Sequence, residues 1–122
     1  MANINKILGL LKGAKLPFSV EEFQIHQHII KLFNDNDIKF IHEFKIKGNS
    51  RIDFFVEDEI GVEVKKGRPN KTNLIKQLTK YSECENICAI IVIVEKSIAL
   101  PDSINGKNIY SINLNSQWGI AL

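Results

Sequence analysis

An almost uninterrupted apolar run, Ile87–Val94, constrains the fold of this chain more than any other feature. Eight successive residues without a charged side chain are typical of a β-strand that is buried on both of its faces. At 122 residues the chain is long enough to bury one such core without disulfides or structural metal. The composition, with 44% hydrophobic and 25% charged residues, excludes a disordered chain, a collagen-like fibre and a disulfide-stapled miniprotein.

Hydrophobic periodicity around this run predicts elements in the order α-α-β-β-β-α-β-β. The predicted elements are helices 3–12 and 19–34, strands 38–46, 51–56 and 60–65, a helix 72–84, and strands 86–94 and 108–114. The three short strands in the middle form a β-meander, because turn residues separate them. We therefore expect an α/β fold in which helices flank a central mixed sheet, with one domain over 1–122, a core at 19–94 and a helix appended at 1–16.

The second predicted helix carries a carboxylate on its apolar side. Ser19 is the expected N-cap, and Glu22 three residues later completes a capping-box pattern. At 100° per residue, Glu22 also falls in the middle of the apolar stripe, with His26 one turn on and Glu21 nearer the edge. A buried carboxylate costs several kcal/mol unless charge or hydrogen bonds compensate. Glu22 therefore either closes the capping box or belongs to a functional site.

Strand periodicity brings acidic residues of neighbouring strands together. The apolar side chains of strand 51–56 are expected on one face, opposite Asp53: Ile52, Phe54 and Val56. Glu63 and Lys65 share a face of the next strand, roughly 6.5–7 Å apart along the chain, and alone they would be explained as a surface ion pair. The meander, however, brings Asp53 beside Glu63, and two converging carboxylates repel each other unless a cation lies between them. Oxygen ligands without a thiolate suit Mg²⁺ or Mn²⁺.

Positive charge is concentrated next to these carboxylates. The segment from Lys65 to Lys80 holds six cations and no acidic residue, so the rest of the chain has a net charge of −4 within a total of +2. Such a segment favours contact with the phosphates of a nucleic acid, and the alternative is a solvated basic helix. The residues expected to bind nucleic acid are Lys66, Arg68, Lys71, Lys76 and Lys80. On the same predicted helix, Gln77 and Tyr81 share a face, either to contact a nucleotide or as ordinary helix-surface polarity.

The chain resembles the PD-(D/E)xK nuclease superfamily, to which many restriction endonucleases, Holliday-junction resolvases and recombination exonucleases belong. The resemblance covers residues 19–94 and consists of an ordered set: Glu22 in a helix, Arg51-Ile52-Asp53-Phe54 and Glu63-Val64-Lys65 on strands, and Gln77-Leu78-Thr79-Lys80-Tyr81 in a helix. It implies a restriction-endonuclease-like α-β-β-β-α-β core. The chain departs from the family pattern at Ile52, where the motif has Pro.

The resemblance also implies a role for each matching residue. Asp53 and Glu63 would bind Mg²⁺ (or Mn²⁺), with the Val64 carbonyl as a further ligand, and Lys65 would be the catalytic lysine. The remaining residues with an implied role in catalysis are Glu22, as an outer or second-metal carboxylate, and the pair Gln77 and Tyr81, which match a motif of exonuclease-like branches.

These observations predict a metal-dependent deoxyribonuclease that hydrolyses phosphodiester bonds with a metal-activated water. No accessory recognition domain fits in 122 residues, so we expect cleavage directed by the structure or the ends of DNA. The alternatives are an endonuclease like the Holliday-junction resolvases, a non-catalytic nucleic-acid-binding module on the same fold, and a structural α/β protein should the strand register slip by one residue. Cutting both strands would favour a homodimer, for which the N-terminal helix is one candidate interface.

Two further expectations concern the surroundings of the protein. No apolar run approaches the ~18 residues of a membrane span, so no membrane contact is expected. Cys84 and Cys88 are too few for a disulfide framework and are expected to be small core residues in a reducing, cytoplasmic environment.

Overall fold

A mixed β-sheet with helices on both faces organises the chain in the computed structural model, which describes residues 3–17 and 20–117. The helices within these residues are α1 (Ile4–Gly13), α2 (Glu22–Asp35), α3 (Lys71–Ser82) and the four-residue α4 (Leu114–Gln117). The strands are β1 (Phe40–Lys45), β2 (Arg51–Val56), β3 (Ile60–Lys65), β4 (Ala89–Val94), β5 (Ser103–Ile104) and β6 (Lys107–Asn113). The predicted α/β class is confirmed.

The sheet has the strand order β1-β2-β3-β4-β6-β5. Strands β1, β2 and β3 pair antiparallel, which confirms the predicted meander, whereas β4 pairs parallel with both β3 and β6. Helix α3 supplies the crossover that a parallel β3–β4 pair requires. The apolar run forms the strand β4 in the interior of the sheet, where Ile91 and Ile93 enter one core and Ile90 and Val92 the other. Burial of both faces of this strand is therefore confirmed.

The helices divide the core into two layers. One layer packs α1 and α2 against the sheet through Ile7, Leu11, Ile29 and Phe33. The other packs α3 against the opposite face through Leu74, Leu78 and Tyr81. The buried apolar side chains of α1, which include Leu8, pack in the protein's own core. None of the helices in the described part of the chain is both long and apolar enough to span a membrane.

The start of α2 differs from the predicted capping box. Glu21 is the N-cap, and the Gln24 side chain accepts a hydrogen bond from the Glu21 amide at 2.9 Å. Ser19 lies outside the described residues. Capping therefore does not account for Glu22, which is the first residue of the helix.

Three local expectations were wrong. A loop was expected before the last strand, but β5 and β6 form a hairpin there. Its turn residues Asn105 and Gly106 both have positive φ (52° and 77°), as a two-residue type I′ turn requires. Helix α4 was missed as well. Cys88 is exposed and Cys84 is only partly buried, so they are not both core residues.

The faces of β2 are also not those that simple alternation predicts. Phe54 and Val56 belong to the α2 side of the sheet, but Ile52 belongs to the α3 side. The β1–β2 ladder runs from the pair His42/Phe54 to the pair Phe44/Ile52 without a Glu43/Asp53 pair, and Glu43 has a φ of 59°. The change of face at Ile52 thus coincides with this interruption of the ladder.

Candidate active site

Two carboxylates lie between β2 and β3 where the ladder of main-chain hydrogen bonds stops. The last main-chain pair toward this end is Phe54/Val62. Beyond it, the amide of Asp53 donates to Glu63 Oε1 at 3.2 Å, and the amide of Val64 donates to Asp53 Oδ2 at 2.7 Å. Asp53 and Glu63 are thus neighbours on adjacent strands, as predicted. Since the N–H and C=O of one residue in an extended strand point the same way, the Val64 carbonyl is directed toward the same gap.

Glu63 is the most deeply buried of these acids, at 3% exposure. Lys65 Nζ lies 3.2 Å from Glu63 Oε2, so the predicted shared face of this pair is present. Burial and the charge of Asp53 raise the pKa of Glu63 to about 7, although Lys65 and the Asp53 amide work in the opposite direction. One lysine therefore does not fully compensate the negative charge of two adjacent carboxylates. A bound cation would neutralise the remaining negative charge.

Tyr81 reaches the same carboxylate from α3. Its hydroxyl donates to the Arg51 carbonyl at 2.8 Å, and Glu63 Oε2 lies 3.3 Å from the same hydroxyl oxygen. Burial and the charge of Glu63 raise the pKa of Tyr81, so the phenol stays neutral. The side chain of Gln77, one turn earlier, lies near the Tyr81 hydroxyl and lowers its pKa in opposition to these causes. Of the predicted pair, Tyr81 is thus the residue that contacts a carboxylate, that of Glu63. Tyr81 is also fully buried.

Glu22 approaches the site from α2. Its side chain is half-exposed, and burial followed by the charge of Asp53 raises its pKa. The charge of Lys65 lowers the pKa of the same carboxyl. Glu22 is therefore close enough to interact electrostatically with both Asp53 and Lys65. The choice of Glu22 over Glu21 is supported by this arrangement, because Glu21 is exposed and caps the helix.

His26 is a site residue that the sequence interpretation placed on the inner face of the helix without giving it a role. Its Nε2 atom lies 3.4 Å from Asp53 Oδ2 and 3.7 Å from Glu22 Oε1, is buried, and has no well-formed hydrogen bond. Burial alone would lower the pKa of His26, but the contact with Asp53 and the surrounding carboxylates outweigh it and raise the pKa. The spacing of four residues between Glu22 and His26 was the available signal, because it places both on one helix face.

The predicted basic residues are all exposed, on the loop after β3 and on α3. They are Lys66, Arg68, Lys71, Lys76 and Lys80. Lys66 Nζ lies 3.7 Å from Glu95 Oε2, so its charge is partly compensated. Lys65 is only half-buried, which keeps the edge of the carboxylate site open.

A second cationic feature was not predicted. Lys45 and Arg51 face each other directly across β1 and β2, and both line a polar pocket of about 510 Å³ that also includes Gln77 and Tyr81. Within the described residues neither cation forms an ion pair with a carboxylate. Two like charges directly opposite each other are unfavourable in a sheet, so an anion in this pocket would stabilise the pair.

Comparison with known proteins gives no assignment, since no family model, no curated protein and no solved structure matches the chain. The functional interpretation therefore depends on the geometry described above.

Proposed function

We propose that this protein is a divalent-metal-dependent nuclease that hydrolyses phosphodiester bonds of DNA. The observation that carries the proposal is the pair Asp53 and Glu63 in the gap between β2 and β3, with Lys65 Nζ 3.2 Å from Glu63 Oε2. The order α2-β1-β2-β3-α3-β4 supports a restriction-endonuclease-like core, because it repeats the α-β-β-β-α-β order of the PD-(D/E)xK nucleases that the sequence resembles.

The residues in the gap fit Mg²⁺ or Mn²⁺. Hard cations of this kind prefer oxygen ligands, and Asp53, Glu63 and the Val64 carbonyl supply them, with Glu22 as an outer carboxylate. A bound ion would lower the pKa of a water molecule and neutralise phosphate charge.

The side chains around the gap would have two roles, stabilisation of the reacting groups and positioning of Glu63. Lys65 orients the attacking water or stabilises the charge that develops on the phosphate. Tyr81 would help to hold Glu63 in place through its hydroxyl, and Gln77 would act on Glu63 through Tyr81. These two residues of α3 are therefore positioning residues in this proposal.

The substrate would be held by two groups of cations near the carboxylates. The exposed cations after β3 and on α3 supply contacts to phosphates that do not depend on sequence. The pocket with Lys45 and Arg51 is lined by Gln77 and Tyr81 of the same helix α3, so it adds positive charge on that side of the site, and it has room for a nucleotide phosphate. We expect recognition of DNA structure or DNA ends, which includes a resolvase-like endonuclease.

The proposal is tested with linear, single-stranded and branched DNA incubated with Mg²⁺ or Mn²⁺. The parent protein should cleave at least one substrate, and chelator should abolish cleavage. Lys65→Ala should lose activity by about 100-fold or more, in the range that a positioned electrostatic group contributes. Lys31→Ala is the matched control, because this lysine is exposed and pairs with Asp35 on α2. Cleavage by Lys65→Ala at the parental rate would refute the proposal.

A nucleic-acid-binding module without catalysis is the second candidate, and one observation favours it. Both carboxylates already accept main-chain amides, so they have a structural role without any ion. DNA binding that persists in chelator, together with no cleavage of any substrate in any metal, would select this candidate.

A further inference from the structure

Two histidine rings and a carboxylate meet between α2 and β1, next to the nuclease carboxylates. His26 Nδ1 lies 2.9 Å from His42 Nε2, and Glu43 Oε1 lies 3.9 Å from the first nitrogen and 3.6 Å from the second. We propose that His26 Nδ1, His42 Nε2 and Glu43 Oε1 form a separate site for a transition-metal ion such as Zn²⁺. This inference does not depend on the proposed nuclease function.

Packing fixes both imidazole rings. The His42 ring stacks on Phe54 with centroids 4.8 Å apart and an interplanar angle of 25°, and the His26 ring lies 5.2 Å from the same phenyl group. Two nitrogens that bind one ion tetrahedrally at about 2.0–2.1 Å lie about 3.4 Å apart. The two ring nitrogens are hydrogen-bonded to each other at 2.9 Å without an ion, so binding would separate them by about 0.5 Å. The Glu43 carboxylate would move as well, and its half-exposed side chain permits this.

The backbone of β1 brings the third ligand to the correct side. Successive side chains of a strand normally point to opposite faces, so His42 and Glu43 should diverge. Glu43 instead has a φ of 59° at the interruption of the β1–β2 ladder, and its carboxylate lies beside the His42 ring. A non-glycine residue keeps such a conformation only where the surrounding structure stabilises it.

The other nitrogen of His26 has the environment that metal-binding histidines usually have. Such a histidine donates its second N–H to a carboxylate or carbonyl, which fixes the tautomer. His26 Nε2 is buried and faces Asp53 Oδ2 at 3.4 Å, so a proton on Nε2 leaves the lone pair of Nδ1 directed toward His42. Two imidazole ligands select Zn²⁺, Co²⁺ or Ni²⁺ over Mg²⁺. The three protein ligands would leave a fourth position for water.

The site would connect α2 to the edge strand β1 and hold His26 against Asp53. Its ligand set is distinct from the oxygen ligands between β2 and β3, so the two sites can be separated by mutation. His42→Gln and Glu43→Gln each remove one proposed ligand, and Glu63→Gln removes a ligand of the nuclease site only.

The test is titration of the metal-free protein with Zn²⁺ against a chromophoric chelator, together with the visible absorption of the Co²⁺ form. The parent should bind one equivalent in this site, and His42→Gln and Glu43→Gln should each weaken binding by about tenfold or more, while Glu63→Gln binds as the parent does. Thermal unfolding in chelator checks that each variant is folded. Because Glu43 is half-exposed, its Gln variant keeps the test valid even if His42→Gln is destabilised.

Unchanged Zn²⁺ affinity in both His42→Gln and Glu43→Gln would overturn the proposal. So would loss of the Co²⁺ spectrum in Glu63→Gln, because the ion would then belong to the nuclease carboxylates. Absence of cleavage with intact Zn²⁺ binding would refute only the nuclease function, whereas cleavage in a protein that does not bind Zn²⁺ would refute only this site.

Discussion

Replacing Glu63 by Gln should stabilise the protein at alkaline pH. The pKa of this carboxyl is raised from 4.5 to about 7 in the folded state, first by burial and then by the charge of Asp53. Between these two values the folded protein holds a proton that the unfolded chain has released, so the free energy of unfolding falls as the pH rises through this window. A difference of about 2.5 units corresponds to about 3 kcal/mol at 1.36 kcal/mol per unit. Gln keeps the shape of Glu63 and does not ionise.

The assay is urea and thermal unfolding between pH 4.5 and 8 in chelator, so that no cation compensates the carboxylates. Parent and Glu63→Gln should be similar in stability near pH 4.5 and differ by up to about 3 kcal/mol at pH 8, a rise in Tm of roughly 10 °C for a domain of this size. Glu85→Gln on the exposed segment after α3 is the control and should leave the pH dependence of the parent unchanged. If Glu63→Gln lost stability with pH as steeply as the parent does, the burial argument would be wrong.

Three further outcomes follow from the same contacts. Mn²⁺ at 100 times its Kd should stabilise the parent by about 2.7 kcal/mol in thermal unfolding, and Glu63→Gln by much less; equal shifts would place the ion elsewhere. Tyr81→Phe should lose about 1–3 kcal/mol in urea unfolding, because the Arg51 carbonyl loses its hydrogen-bond donor and Glu63 loses a polar neighbour, and an unchanged midpoint would contradict this. The double variant Lys45→Gln, Arg51→Gln should weaken oligonucleotide binding in chelator and lower the salt slope by about 2, measured by fluorescence anisotropy; a parental slope would exclude phosphate from the pocket.

Elements with strong local signals could be predicted from the sequence. The apolar run of β4 and the turns of the meander depend on neighbouring residues only, and both are present in the structure. The juxtaposition of Asp53, Glu63 and Lys65 followed from the meander, because strands joined by a short turn have a fixed register. Asn105 and Gly106 were a local signal too, and reading them as a type I′ turn would have predicted the last hairpin.

The features that were missed depend on distant parts of the chain. The change of face at Ile52 lies beside the positive φ of Glu43 on another strand, and strict alternation cannot show it. His26 and His42 are separated by 16 residues and meet only because α2 packs across β1. The opposition of Lys45 and Arg51 likewise requires the exact pairing of two strands. Each of these depends on tertiary packing and not on local periodicity.

The hydrogen bond from the Val64 amide to Asp53 would respond to the binding of a metal ion. An aspartate oxygen that moved to coordinate an ion would leave this amide proton without its acceptor. Deuterium uptake at the amide of Val64, a buried residue, would then report occupancy of the ion site. Binding of the cation by Asp53 would thereby weaken one of the hydrogen bonds that join β2 and β3.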